Sequence, residues 1–291
     1  MRNLKGLYSA LLVSFYEDGK INEKGLRQII RYNIDHNHMD GLYVGGSTGE
    51  NFMLSTDEKK CIFEITKDEA KDDITLIGQV GSINLQEACE LAKFVTNLGY
   101  DAISAVTPFY YKFGFAEIQN YYETIVGSVD NRLVIYSIPL LTGVDMNLTQ
   151  FGELFKNEKI VGVKFTQGDF FLLERIRKTF PNKLIFAGFD EMLLPATVLG
   201  IDGAIGSTYN INAKRAQQIF DFARAGKIKE ARAIQHVTND LIYDILDNGL
   251  YGTIKLLLAE QGIEAGYCRT PMKPYTPKMR MRAKEIYQQY F

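Results

Sequence analysis

Short apolar runs alternate with amphipathic segments along most of the chain. Eight runs have the length and composition of buried strands: Leu7–Val13, Gly41–Val44, Ile74–Val80, Asp101–Val106, Leu133–Ile138, Ile160–Phe165, Lys183–Ala187 and Asp202–Ile205. The segments between them carry apolar residues at helical spacing: Glu23–Asp35, Thr56–Ala70, Leu85–Leu98, Ala116–Gly127, Leu148–Phe155, Phe170–Thr179 and Glu191–Leu199. This alternation predicts parallel strands joined by right-handed crossovers.

The number of strand–helix units indicates how the sheet closes. Eight units fit an α/β fold of the TIM type, a closed (β/α)8 barrel, in which buried parallel strands are apolar along their whole length. A doubly wound open sheet is the structural alternative. No G-x-G-x-x-G motif follows the first strand, which argues against that alternative.

After Ile205 the pattern becomes purely helical. Asn212 is a candidate N-cap for a last barrel helix over Ala213–Ala225, which Gly226 ends. Three further helical segments follow, at Lys227–Asn248, Gly252–Glu260 and Lys278–Tyr290. We therefore expect a barrel over residues 1–225 and a helical extension over residues 226–291 that packs on it.

Composition narrows the classes of function. The net charge of −2 provides no field that would attract nucleic acid or a membrane surface. No stretch approaches the roughly 20 apolar residues of a membrane span, and the first apolar run meets Glu17 and Asp18 instead of a cleavage site. Cys61, Cys89 and Cys268 form no C-x-x-C pair, which favours a reducing cytoplasm.

The sixth candidate strand ends in a lysine. Alternation along it predicts Val161, Val163 and Phe165 against the helices and Lys164 inside the barrel mouth, with Gly162 leaving space below. Desolvation would lower the pKa of such a lysine and free its lone pair for attack on a carbonyl. From the strand alone, a lysine that reaches out to water explains the pattern equally well.

Other polar residues follow neighbouring strands, where a barrel places its chemistry. Tyr136 lies on the fifth strand, where it is either a proton shuttle for Lys164 or a core aromatic. The loop Gly45–Glu50 follows the second strand, and its glycines and hydroxyls could bind a carboxylate or form a plain turn. Gly188–Glu191 and Gly206–Thr208 follow the last two strands and could bind a polyhydroxylated ligand or cap helices.

A metal site receives little support from the sequence. His36 and His38 resemble a ligand pair, but they precede the second strand, at the face of the barrel opposite the predicted site. No third ligand is evident near them. We therefore predict no metal and no organic cofactor, because a Schiff-base lysine would itself supply the electron sink.

Several of these segments together resemble one protein family. The motifs Gly-Gly-Ser-Thr-Gly-Glu, Tyr-Ser-Ile-Pro and Lys-Phe-Thr, at Gly45–Glu50, Tyr136–Pro139 and Lys164–Thr166, are similar to those of the dihydrodipicolinate synthase / N-acetylneuraminate lyase superfamily. Within it, Ala105–Tyr111, Gly188–Glu191 and Ile205–Asn210 most resemble the members that cleave sialic acid. The resemblance implies reversible cleavage of N-acetylneuraminate to N-acetylmannosamine and pyruvate, by a homotetramer.

The resemblance also implies roles for individual residues. Lys164 would form the Schiff base, Tyr136 would transfer protons, and Ser47 with Thr48 would hold the pyruvyl carboxylate. Tyr110 would support the proton relay and, in relatives, reaches across a subunit interface. The sugar portion would contact the remaining candidates: Thr166, Gly188, Asp190, Glu191, Gly206, Ser207 and, as a weaker assignment, Tyr251.

One position separates the two best-known activities of the superfamily. Dihydrodipicolinate synthases carry an arginine two residues after the proline that ends the fifth strand, where this chain has Leu141 after Pro139. Loss of that cation disfavours a carboxylated aldehyde. The alternatives are a pyruvate aldolase acting on 2-keto-3-deoxy sugar acids or on aspartate semialdehyde, and a non-catalytic barrel that binds keto acids.

Overall fold

The computed structural model describes residues 2–291 and contains a closed barrel of eight parallel strands. Each strand pairs with the next along the chain, and the last returns to the first. The strands are β1 Gly6–Ala10, β2 Gly41–Val44, β3 Thr75–Gln79, β4 Ala102–Val106, β5 Leu133–Ser137, β6 Ile160–Phe165, β7 Leu184–Ala187 and β8 Gly203–Gly206. The predicted TIM barrel is confirmed.

Helices connect the strands and cover the barrel. They are α1 Glu23–Arg31, α2 Thr56–Ala70, α3 Leu85–Asn97, α4 Phe115–Gly127, the short α5 Pro139–Thr142, α6 Leu148–Phe155, α7 Phe170–Thr179, α8 Leu193–Val198 and α9 Tyr209–Arg224. Three more helices follow the barrel: α10 Ile228–Asn248, α11 Leu250–Glu260 and α12 Pro277–Tyr290. Within residues 2–291, no helix combines the length and the apolar character needed to cross a bilayer.

The apolar side chains of the strands belong to two layers, one on each face of the barrel wall. The larger layer lies between the strands and the surrounding helices, and the smaller one fills the barrel. Large aromatic side chains dominate the inner layer: Tyr8, Tyr43, Tyr136 and Phe186. Because side chains alternate along a strand, each strand serves both layers, which explains why the strands are apolar throughout.

Strand β6 departs from the predicted alternation at its start. Ile160 pairs with Leu133 and Gly162 pairs with Val134, so Val161 is an extra residue in β6. The side chain of Val161 packs against the inner layer. The expectation that Val161 faces the helices is therefore wrong, whereas Val163 and Phe165 do face them. The need for glycine at position 162 also differs from the expected one, which was space below Lys164. A Cβ at this position would collide with the backbone and side chain of Leu184 on β7.

The last barrel helix has a break at the predicted Asn212, but the side chain of that residue does not form the predicted cap. Helix α9 begins at Tyr209, with Thr208 at the N-cap position, and Asn212 lies at a kink inside it. The Asn212 amide oxygen accepts a hydrogen bond from Arg215 at 2.9 Å instead of capping a helix end. Other boundaries differ by a few residues, as at the helix predicted over Glu191–Leu199, which starts with a 3-10 turn.

The C-terminal helices pack on the barrel, as expected. Helix α10 packs against α8 and α9, and α11 packs against α9 and α12. Polar contacts also join the extension to the barrel, since Ser14 donates a hydrogen bond to the carbonyl of Glu264 at 2.8 Å. The division at residue 225 stays a prediction, because contact alone does not show that either part folds separately.

Candidate active site

Lys164 lies near the carboxyl end of β6, inside the barrel mouth. Its side chain is buried, with only 4% of the residue exposed. The parallel register places it beside Tyr136 on β5 and Phe186 on β7. Burial lowers the pKa of Lys164 to about 7, and the nearby Asp190 carboxylate opposes part of that shift. The amine can therefore be uncharged and nucleophilic near neutral pH.

Two tyrosine rings flank this amine. Lys164 Nζ lies 3.9 Å from the centroid of the Tyr136 ring and 4.1 Å from that of Tyr43. The Tyr136 hydroxyl approaches Ser47 Oγ at 3.4 Å. Burial raises the pKa of Tyr136, while the contact with Ser47 lowers it. The geometry therefore gathers an amine, a phenol and a hydroxyl where a carbonyl substrate could reach all three.

The predicted anion loop lies beside this group. Ser47–Gly49 forms a 3-10 turn, and Glu50 follows in the left-handed conformation with φ of 59°. The first amides of such a turn have no partner within it, so they can donate to an anion. Thr48 Oγ1 and Ser207 Oγ lie 2.6 Å apart, which links this loop to the one after β8.

The loops after β6, β7 and β8 form the opposite side of the mouth. Thr166 Oγ1 is buried and has no hydrogen-bond partner among the described residues, so it is available to a ligand. Gly188 must lack a side chain, because a Cβ there would collide with that hydroxyl. Gly206 is constrained in the same way by Asp190. The absence of side chains at these two glycines therefore lets the polar groups of Thr166 and Asp190 lie close to the backbone of the mouth.

Asp190 is the acidic group closest to this chemistry. Its carboxylate accepts hydrogen bonds from the Thr208 amide at 2.8 Å and from the Thr208 hydroxyl at 2.6 Å. Burial raises the pKa of Asp190 to about 6, against the effect of those two bonds. Glu191 follows it and is half-buried. Tyr251 is also half-buried, and burial raises its pKa to about 12, with Tyr136 close enough to contribute.

Tyr110 is the one proposed catalytic residue that this chain does not bring to Lys164. Its residue is 83% exposed, and its ring contacts that of Tyr111 with centroids 5.1 Å apart. Its φ of 77° holds the side chain in a conformation that is unusual for a non-glycine residue. This placement leaves the ring available to a second copy of the chain.

The side chain of His36 has an aromatic neighbour, and that of His38 is exposed. His36 stacks on Tyr32 with centroids 4.6 Å apart, at the end of the first helical segment. Within residues 2–291, no three His, Cys, Asp or Glu side chains come close enough together to hold a metal ion.

Sequence reasoning missed two features of the site. Tyr43 was not selected, although its place on β2, just before the glycine loop, is a signal that an inward-facing ring borders the site. The second feature is a buried ion pair between Glu50 and Lys255, with Nζ 2.5 Å from the carboxylate. Nothing local in the sequence connects these two residues.

The lowered pKa of Lys164 predicts how Schiff-base formation depends on pH. The rate of trapping with pyruvate and cyanoborohydride should rise as pH increases through about 7, because the protonated amine has no lone pair. The Asp190 carboxylate raises this pKa, so Asp190→Asn should move the midpoint to lower pH. Mass spectrometry of the Lys164 peptide at a series of pH values measures both. A midpoint near 10 would contradict the prediction.

The chain is similar over its whole length to known proteins. An N-acetylneuraminate lyase of Clostridium perfringens is 72% identical over 288 residues, covering 99% of this chain and 100% of that protein. The crystal structure of CdNal from Clostridium difficile in complex with mannosamine is 75% identical, with a TM-score of 0.99 over 100% of both chains. The N-acetylneuraminate lyase of Fusobacterium nucleatum complexed with pyruvate is 67% identical, with a TM-score of 0.95, covering 99% of this chain and 97% of that one.

The family predicted from the sequence motifs is thereby confirmed. Residues 3–290 match the dihydrodipicolinate synthetase family, which is nearly the whole chain. The chain belongs to the dihydrodipicolinate synthetase family.

Proposed function

We propose that this protein cleaves N-acetylneuraminate to N-acetylmannosamine and pyruvate, reversibly, through a Schiff base on Lys164. The observation that carries the proposal is the buried amine, whose pKa is lowered to about 7 and which lies beside Tyr136 at the barrel mouth. Support for the substrate comes from full-length relatives at 72% and 69% identity that are N-acetylneuraminate lyases.

The reaction follows from the chemistry of a buried amine. Lys164 attacks the keto carbon C2 of the open-chain sugar, water leaves, and a protonated imine forms. The C4 hydroxyl then loses its proton, the C3–C4 bond breaks, and its electron pair moves toward the imine nitrogen. N-acetylmannosamine departs as the aldehyde, the enamine takes up a proton at C3, and water releases pyruvate. The imine is the electron sink, so the bond cleavage itself calls for no metal or organic cofactor.

Roles for the neighbouring residues belong to the same proposal. Tyr136 lies next to Lys164, its hydroxyl approaches Ser47 Oγ at 3.4 Å, and these two residues handle the proton of the C4 hydroxyl. Ser47 and Thr48 hold the pyruvyl carboxylate on the 3-10 turn. The sugar hydroxyls meet the opposite side of the mouth, formed by Thr166, Gly188, Asp190, Glu191, Gly206 and Ser207, with Tyr251 near the sugar tail.

The aldehyde partner is uncharged in this proposal. Leu140 and Leu141 on α5 are 83% and 63% exposed, and neither offers a cation to a carboxylated aldehyde. Parallel assays of pyruvate release from N-acetylneuraminate and from 2-keto-3-deoxy sugar acids, and of pyruvate consumption with aspartate semialdehyde, test the proposal. We expect turnover of N-acetylneuraminate to exceed the others. Faster turnover of an acidic substrate, or pyruvate binding without turnover, would reject it.

The sugar-side assignment predicts a selective effect of Asp190. Asp190→Ala should raise the Michaelis constant for N-acetylneuraminate at least about tenfold, since hydrogen bonds to charged groups contribute roughly 1.5–3 kcal/mol. Trapping of pyruvate alone on Lys164 should persist, because pyruvate lacks the sugar portion. Steady-state kinetics and mass spectrometry measure the two effects. An unchanged Michaelis constant would remove Asp190 from the sugar site.

We also propose that the protein assembles as a homotetramer in which Tyr110 completes the site of a neighbouring subunit. The exposed rings of Tyr110 and Tyr111 form an aromatic patch suited to burial between subunits. Light scattering of the wild type should give a mass of four chains, and the double variant Tyr110→Ala/Tyr111→Ala should lower both mass and activity. A fully active monomeric variant would contradict this.

The unpaired Cys61, Cys89 and Cys268 favour a location in the cytoplasm.

A further inference from the structure

We propose that Tyr43 is a further catalytic residue, whose ring face stabilises the cationic Schiff base that forms on Lys164. The inference rests on the proposed function, since it concerns an intermediate of that reaction. It assigns a role to a side chain that reaches the reacting nitrogen from β2, on the far side of the barrel from β6.

The geometry places the reacting nitrogen in a corner formed by two rings. Lys164 Nζ lies 4.1 Å from the centroid of Tyr43 and 3.9 Å from that of Tyr136, in front of both faces. The two ring planes are nearly perpendicular, at 82°, and their centroids are 5.9 Å apart. Both distances are within the roughly 6 Å over which the negative face of an aromatic ring attracts a cation.

The Tyr43 hydroxyl is already occupied elsewhere. It donates a hydrogen bond to Ser104 Oγ at 3.0 Å, and Ser104 in turn donates to the carbonyl of Val134 at 2.8 Å. The ring is completely buried and packs against Gly46, where a Cβ would press on it. Tyr43 therefore presents a fixed ring face to the nitrogen, whereas the hydroxyl of Tyr136 approaches Ser47.

The reaction requires such a face. A buried amine avoids the cost of its charge by losing a proton, but the imine has to be cationic when the C3–C4 bond begins to break, because the cation is the electron sink. When that bond breaks, its electron pair neutralises the imine nitrogen, giving the enamine. Asp190 is the carboxylate that acts on Lys164, and one of its oxygens already accepts two hydrogen bonds from Thr208. The rings supply attraction without a second buried charge, and desolvation strengthens it.

A series of fluorinated rings tests this directly. Phenylalanine at position 43 serves as the reference, and 4-fluoro-, 3,5-difluoro- and 3,4,5-trifluorophenylalanine keep the ring shape while weakening its negative face stepwise. We expect kcat/KM for N-acetylneuraminate, measured above the pH midpoint where the free amine is neutral, to fall at each step, and kcat/KM of Tyr43→Leu to be about tenfold below that of Tyr43→Phe. The pH midpoint of cyanoborohydride trapping with pyruvate should fall in the same order, because the ring also favours the ammonium form.

Controls separate this inference from the proposed function and from misfolding. The same fluorinated residues at Phe151, buried on the outer side of the barrel, should leave kcat/KM unchanged. If the wild type forms no adduct with pyruvate at Lys164, the proposed function fails and the inference fails with it. If the adduct forms but kcat/KM shows no gradient across the fluorinated series, only the role of Tyr43 is overturned. The series keeps the test valid even if Tyr43→Leu fails to fold.

Discussion

Replacing Lys164 with methionine is expected to lower pyruvate release from N-acetylneuraminate by at least about 10⁴-fold, because loss of a covalent nucleophile removes the whole pathway. Borohydride treatment with pyruvate should then add no three-carbon fragment to the peptide that contains residue 164. The matched control is Lys183→Met, which removes a half-buried lysine outside the site and should retain both the adduct and the activity. Turnover that survives in Lys164→Met would reject the Schiff-base mechanism.

The same variant should be more stable than the wild type, and the difference should depend on pH. The folded chain lowers the pKa of Lys164 from 10.5 to about 7, which corresponds to a cost of roughly 5 kcal/mol when the amine must be protonated. This cost is fully present below about pH 7 and disappears as pH rises to 10.5, where the unfolded chain also loses the proton. Urea unfolding of both proteins should therefore show a large gain at pH 6 and a small one at pH 10. An equal difference at both pH values would show that Lys164 is not desolvated.

Replacing Lys255 with methionine is expected to lower the free energy of unfolding by about 3–5 kcal/mol, because the Glu50 carboxylate would be left buried without a cation. Both side chains of this pair are completely buried, with Nζ 2.5 Å from Oε1. The other oxygen of Glu50 accepts a hydrogen bond from the Arg269 amide at 2.7 Å. Lys255 Nζ also donates to the carbonyl of Tyr267 at 2.6 Å.

This pair should also affect binding, because it joins helix α11 to the end of the turn that we propose binds the carboxylate. Glu50 is the residue that ends the turn formed by Ser47–Gly49. We therefore expect Lys255→Met to raise the Michaelis constant for pyruvate in the synthetic direction. The double variant Glu50→Gln/Lys255→Met should recover most of the stability, since it leaves no isolated charge.

Urea unfolding and steady-state kinetics measure these two effects. The exposed pair of Lys20 with Asp18 is the control, and Lys20→Met should leave both stability and activity unchanged. If Lys255→Met were as stable as the wild type, the Glu50 carboxylate would not depend on Lys255 for compensation of its charge. If stability fell but the double variant recovered none of it, the loss would come from packing and not from charge.

Local pattern was enough to predict the architecture. The recurrence of apolar runs and amphipathic segments reflects the two layers that each strand serves, and this is a property of neighbouring residues. Eight repeats of that unit leave few ways to bury every strand on both faces, and the closed barrel is one of them. For the same reason the polar residues at strand ends, Lys164 and Tyr136 among them, were identifiable before any contact was known.

Contacts between residues far apart along the chain follow from closure of the barrel, and no local pattern in the sequence contains them. Closure places the ring centroid of Tyr43 on β2 at 4.1 Å from Lys164 Nζ on β6, and the packing of α11 on the barrel brings Lys255 to Glu50, far away along the chain. The register shift in β6 turns Val161 inward, and the close approach of Leu184 on β7 leaves no room for a side chain at Gly162. The repeating unit and the residue types at the mouth follow from periodicity and are therefore readable along the chain. The surroundings that lower the pKa of Lys164 depend on contacts between distant strands, which exist only in the folded protein.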